Sequence, residues 1–257
     1  MVYVELLLHC LLHYLAQSGR RKQIMTIYKT FKNAAGQVLA ICYDTVPDKD
    51  LLILDESLMN YYTWESHSLS IEENDFRDAE EWYDSIIGDG MFDKQREKSL
   101  EAGRSKLGFV EDLCNILAKK AGILAFPILK HEHSDVRYYL GDTLDRWDGS
   151  VAGFAWEEKA ELRKKLGVSK LMKKQVSEIE QQVKNYLAAY TDYANGNVYG
   201  FKFFGVDGFE EDSCWGFFGY ENDQEMLKEM LSHIDPIDNN FIETELSEIE
   251  NPEVLYA

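Results

Sequence analysis

Short runs of β-branched and aromatic residues at 26–31 (TIYKTF) and 37–43 (QVLAICY) read as two strands. Between them lies Asn33-Ala34-Ala35-Gly36, where Asn and Gly tolerate the positive φ of a tight hairpin. A short apolar run, Leu51–Leu54, predicts a third strand, and 55–77 has no clean period and reads as acidic loop with one helical turn at most. Residues 78–87 (DAEEWYDSII) predict a helix with acids in its first turn, where the helix dipole favours them. Residues 91–121 read as helical, with Gly103 and Gly108 as points of division and Gly122 as the C-terminal stop.

The second half repeats the alternation of strand and helix. Residues 123–129 (ILAFPIL) predict a strand, placed by Pro127 at an edge or a bulge. Further strands are expected at 136–140 and 151–156, separated by a polar turn-rich stretch, Gly141–Ser150. A helix over 157–166 closes at Gly167, and a longer one starts with Ser169 as N-cap. The longer helix carries Leu171, Met172, Val176, Ile179, Val183, Tyr186, Leu187 and Tyr190 at mostly three- and four-residue spacing, and ends at Asn195-Gly196. Two aromatic-rich runs flank Val206-Asp207-Gly208, the strongest hairpin signal in the chain. Their aromatic residues suggest either a base-stacking platform or a sheet face packed under the long helix; the surrounding acids favour the second. A last helix spans 223–234, and Pro236 stops it.

Residues 2–16 are strongly apolar, with Glu5, His9 and His13 on one helical face. The cations follow the run at Arg20–Lys22, unlike a secretory signal, and the run falls short of the roughly 20 residues that a membrane span needs. The expectation is an amphipathic helix or an upstream extension of the reading frame, with Met25 as a candidate start. His9 and His13 have chelating spacing, without a further ligand evident in the pattern.

Composition adds a sign to this picture. The chain has 257 residues, 46 acidic and 27 basic, for a net charge of -19. An apolar fraction of 45% excludes global disorder. The overall field disfavours direct nucleic-acid binding. Residues 44–101 carry -12 and residues 203–257 carry -14, while the stretch between is near neutral. Candidate partner-binding acids are Glu72, Glu73, Asp75, Asp78, Glu80 and Glu81 in the first block. In the second they are Glu210, Glu211, Asp212, Glu243, Glu245, Glu248 and Glu250. The four cysteines, 10, 42, 114 and 214, fit neither a zinc ribbon nor a disulfide framework, as expected of reduced thiols.

For metal chemistry the candidates are His131, His133 and Asp135, since H-x-H on a strand puts both imidazoles on one face. Asp142, Asp145 and Asp148 do not match a calcium loop and read as Asx turns. No nucleophile elbow, P-loop or dinucleotide fingerprint is present, so no catalytic residue is named and no cofactor is expected.

Two stretches carry a resemblance. One is Tyr139-Leu140-Gly141-Asp142 with Arg146-Trp147-Asp148-Gly149-Ser150-Val151-Ala152-Gly153. The other runs from Gly196-Asn197-Val198-Tyr199-Gly200-Phe201 through Asp207-Gly208 to Asp212-Ser213-Cys214-Trp215-Gly216-Phe217-Phe218-Gly219. Over about residues 120–220 the chain resembles a family of uncharacterised proteins encoded by bacteriophages, plasmids and conjugative elements. That family's early E-S-P-R-E-W-D-like segment has no counterpart at Glu65-Ser66-His67. The resemblance implies a mobile-element accessory protein acting in a bacterial cytoplasm.

The resulting expectation is an α+β domain over 25–234, an antiparallel sheet with helices packed on it, followed by an acidic tail at 235–257. It would act by non-enzymatic binding of a host or defence protein with a basic surface, in its sharpest form as a DNA mimic. No membrane is expected as partner. One alternative is a metal-dependent hydrolase built around His131 and His133. Another is a replication or assembly accessory using a basic helix face at Lys164, Lys165, Lys173 and Lys174.

Overall fold

The computed structural model describes residues 26–48, 52, 57–63, 76–220, 222–234 and 247–248. The helix expected at 2–16, the strand expected at 51–54 apart from Leu52, and the acidic tail apart from 247–248 lie outside the described residues. In chain order the strands are β1 (Thr26–Lys32), β2 (Val38–Tyr43), β3 (Asn60–Thr63), β4 (Ile123–Glu132), β5 (Val136–Tyr139), β6 (Gly149–Glu158), β7 (Val198–Phe204), β8 (Glu210–Phe218) and β9 (Ser247–Glu248). The helices are α1 (Ala79–Ile87), α2 (Met91–Glu101), α3 (Lys106–Ile116), α4 (Lys159–Lys165), α5 (Lys173–Asn195) and α6 (Asp223–Ser232).

The fold is α+β with two antiparallel sheets. The stretch expected to form one domain divides into two compact units. One is built from the chain up to Asp48 and from Gly196 onward, the other from residues 49–195.

The first unit holds the five-stranded sheet, in the order β8-β7-β2-β1-β9. Both of its hairpins use the same loop. Gly36 N–H donates to the Asn33 carbonyl and Asn33 N–H to that of Gln37. Gly208 N–H donates to the Gly205 carbonyl and Gly205 N–H to that of Phe209. Each loop closes on a glycine in the left-handed region, with φ +96° at Gly36 and +81° at Gly208, the bulge-type alternative to a two-residue turn. One sheet face buries Leu39, Ile41, Phe201, Phe203 and Phe217 against Met226, Met230 and Leu231 of α6. The helix over this hairpin is therefore α6; the long helix α5 belongs to the second unit. On the other face Val38, Ala40, Cys42 and Phe204 cluster with Ile27 and Trp215.

The second unit holds a four-stranded sheet, in the order β3-β6-β4-β5. β3 lies where the acidic pattern read as loop. Its successive tyrosines point to opposite faces, as strand geometry requires. Tyr61 stacks on Tyr186 of α5 at 3.9 Å between ring centroids. Tyr62 joins Trp82 and Phe154 in the core that α1 and α3 cover. Helix α3 runs into a π-helical turn over Leu117–Ala121, which Gly122 ends with φ +69°. Pro127 pairs with Phe154 of β6. The β4–β5 pairing spans only Leu129–Glu132, so at Pro127 the strand has one neighbour among the described residues, and a register shift follows at Ile128/Leu129.

Helix α5 starts at Lys173, four residues after the expected Ser169. Met172 N–H donates to the Gln175 side chain and the Met172 carbonyl accepts from Val176, the geometry of an N-cap. Met172, read as part of the core stripe, is 55% exposed. The stripe from Ile179 through Val183 and Leu187 to Tyr190 is buried as expected.

Candidate functional site: a histidine and two aspartates at one turn

His131 lies near the end of β4, opposite Arg137 of β5 on one side and Gly149 of β6 on the other. The chain that returns to β6 folds its turn back over this point. Asp145 Oδ1 accepts the N–H groups of Trp147 and Asp148, each at 2.8 Å, which is the expected Asx turn. Glu132 N–H donates to the Asp148 carbonyl at 3.0 Å and ties the turn to β4. Glycine is required at 149, since a Cβ there would sit 2.4 Å from the Asp145 carbonyl oxygen and 2.7 Å from its nitrogen.

The turn brings one ligand atom each from His131, Asp145 and Asp148 within 4.8 Å of one another. His131 is half-buried and both aspartates are exposed. Two backbone N–H donors, and then the nearby His131, hold the Asp145 carboxyl below the usual range. The His133 imidazole Nδ1 stands 3.5 Å from Asp148 Oδ2. Of the three expected ligands, His131 is in the cluster and His133 is beside it. Asp135 is not in it; its carbonyl accepts the His133 N–H. The aspartates that replace it were legible as turn formers, but nothing in their spacing shows that the turn closes on His131. Trp147, at the tip, is 82% exposed, with the Arg146 guanidinium 5.2 Å from its ring centroid.

The candidate contact acids have other neighbours. Asp78 is the N-cap of α1, accepting Glu81 N–H at 3.0 Å and pairing with Arg77. These contacts hold its carboxyl below the usual range. Glu81 accepts the Arg77 N–H, and Glu80 lies in the same first turn. Glu210 pairs with Lys202 at 2.6 Å, and Glu248 with Lys29 at 3.4 Å. Glu210 and Glu211 are exposed at the start of β8, followed by half-buried Asp212. Glu72, Glu73, Asp75, Glu243, Glu245 and Glu250 lie outside the described residues.

Compared with family models, curated proteins and solved structures, the chain matches none. Among the described residues, no helix is long and apolar enough to cross a membrane. In each of the two stretches quoted from the sequence above, one glycine has a structural reason. In the first, Gly149 admits the Asp145 turn. In the second, Gly200 faces Trp215 across the β7–β8 pair, and the Trp215 ring occupies the space a Cβ at 200 would take.

Proposed function

We propose that the protein acts by non-enzymatic binding, as an accessory of a mobile genetic element that occupies the basic surface of a host or defence protein. The observation that carries this reading is the tip of the β7–β8 hairpin. Val206 and Phe209 are 70% and 73% exposed there. They are flanked by Asp207, Glu210 and Glu211. Apolar anchors inside an acidic rim complement a basic interface: the anchors supply desolvated contact, and the charges set partner choice and encounter rate. The net charge of -19 extends the same field over longer range. In the specific form of the proposal the rim takes the place of nucleic-acid phosphates on a nuclease. The mobile-element setting rests on the resemblance over residues 120–220, which includes this hairpin.

Affinity capture from host lysate tests the reading, with the wild type set against Phe209→Ala and a Glu210→Lys/Glu211→Lys double variant. The expected result is a nucleic-acid-binding protein recovered by the wild type at low salt, lost at high salt, lost with both variants, and displaced by DNA. Capture that ignores salt and charge reversal would overturn it.

A further inference from the structure

The geometry points to a binding site for one divalent transition-metal ion of the zinc class, formed by His131, Asp145 and Asp148 with His133 beside them. This site uses none of the residues of the binding surface proposed above and does not depend on that reading.

Three observations carry the inference. The first is convergence. Metal–ligand bonds of about 2.0–2.2 Å around a tetrahedral centre put ligand atoms about 3.3–3.6 Å apart. Ligand atoms already within 4.8 Å need to draw together by about an ångström to close on an ion, a shift that side-chain rotation supplies.

The second is the scaffold. His131 is held in a strand paired on both sides. Asp145 is held by two N–H donors on Oδ1, which leaves Oδ2 as its ligand oxygen. Asp148 is held through its own N–H and carbonyl. Ordering such groups in advance reduces the entropy that an ion must overcome to gather them.

The third is the distribution of countercharge. Lys130, Arg137 and Arg146 are all close in sequence and could have neutralised the two aspartates. Instead Lys130 pairs with Glu132 at 2.6 Å. Arg137 lies over the Tyr139 ring and Arg146 over Trp147. Among the described residues, no Lys or Arg pairs with Asp145 or Asp148; the other groups beside them are the imidazoles of His131 and His133, metal ligands by type. Two carboxylates beside two imidazoles, without a lysine or arginine partner, make a site that a divalent cation would neutralise.

The donor set narrows the ion. Imidazole nitrogen with carboxylate oxygen suits zinc, manganese, cobalt or nickel, whereas magnesium and calcium take oxygen ligands. With His133 as fourth ligand the site closes and is structural; without it, one position stays open to water. An ion here would staple the turn carrying Trp147 to β4.

The test is isothermal titration of the full-length protein with zinc chloride, in a background where His9 and His13 are both alanine so that their chelating spacing does not contribute. One equivalent of zinc is expected to bind. His131→Gln and Asp148→Asn should each weaken binding by at least about tenfold, while His233→Ala should leave it unchanged. Circular dichroism confirms that each variant is folded. Replacing zinc by cobalt gives a second readout, since visible bands should appear in the parent and vanish in folded His131→Gln. Absence of a one-to-one event, or equal binding by folded His131→Gln, overturns the site.

Discussion

At position 200 a hydrogen atom in place of a methyl group decides whether Trp215 can lie across the sheet. A Cβ there would sit 2.2 Å from the indole Cε3 and 2.9 Å from the Cys214 carbonyl oxygen. Neither distance is tolerable, so either the ring or the β7–β8 pairing must move. Gly200→Ala is expected to destabilise the protein by about 1–3 kcal/mol, as overpacking of a filled site does. Urea denaturation followed by tryptophan fluorescence measures this, and an unchanged midpoint would mean that the indole is not seated there. The aromatic residues of this hairpin were legible as sheet residues, and their glycines as points of close approach. The pairing of Gly200 with Trp215 was not, because it depends on a register that shifts between Tyr199 and Gly200. Acidic side chains show the same limit. Asp78 was legible both as a helix-start residue and as a contact acid, and only the Glu81 N–H at its carboxylate shows that it caps.

Among the elements, α5 explains how an exposed strand edge is closed. β5 is at the end of its sheet. Along it, Asn195 exchanges hydrogen bonds with the Val136 backbone, and Thr191 does so with that of Tyr138. Two side chains one helical turn apart thus take the place of a neighbouring strand and block edge pairing with another chain. The periodic stripe predicted the buried face of α5 but not this second role, which belongs to polar residues off the stripe.

A second link joins β1 to α6. Asp223, in the first turn of α6, pairs with Lys29 Nζ at 2.6 Å and accepts the Tyr28 hydroxyl at 2.8 Å. Lys29 and Tyr28 lower the Asp223 pKa, and the hydrogen bond to the Asp223 carboxylate, with burial, raises that of Tyr28 to about 12. A carboxyl whose folded value is depressed binds protons less readily folded than unfolded. Its stabilising contribution is therefore complete above the unfolded value of about 3.9 and is lost as pH falls through the lower folded value. Urea midpoints measured from pH 7 down to pH 2 should show wild type above Asp223→Asn at neutral pH, with the gap closing below about pH 4. A gap independent of pH would remove the ionised carboxylate as its cause.

At the scale of the whole molecule, the second unit is an insertion into the first. β2 and β7 are hydrogen-bonded neighbours, and Asp44 N–H donates to the Val198 carbonyl, yet residues 49–195 lie between them in the chain. That segment has its own sheet and its own aromatic core around Tyr62, Trp82, Tyr83 and Phe154. Residues 49–195 expressed alone are therefore expected to fold, with a cooperative thermal melt by circular dichroism. A chain without a cooperative transition would show that this unit depends on the rest. No proline- or glycine-rich linker marks the two boundaries, which is why the patterning read a single domain.

Sequence alone determined what depends on near neighbours: the hairpin loops at 33–36 and 206–208, the acids in the first turn of α1, the stop at Gly122, the buried stripe of α5 and the sign of the charge. Each follows from hydrogen bonds or side-chain spacing within a few residues, so the local order of side chains carries the information. Tertiary structure alone decided the strand orders, the division into two units, the short strand β3 and the meeting of His131 with Asp145 and Asp148. Those depend on which distant segments bury each other's apolar faces. The residues that do so are read from the whole core at once, and a one-residue shift in register would carry His131 to the opposite face of its sheet.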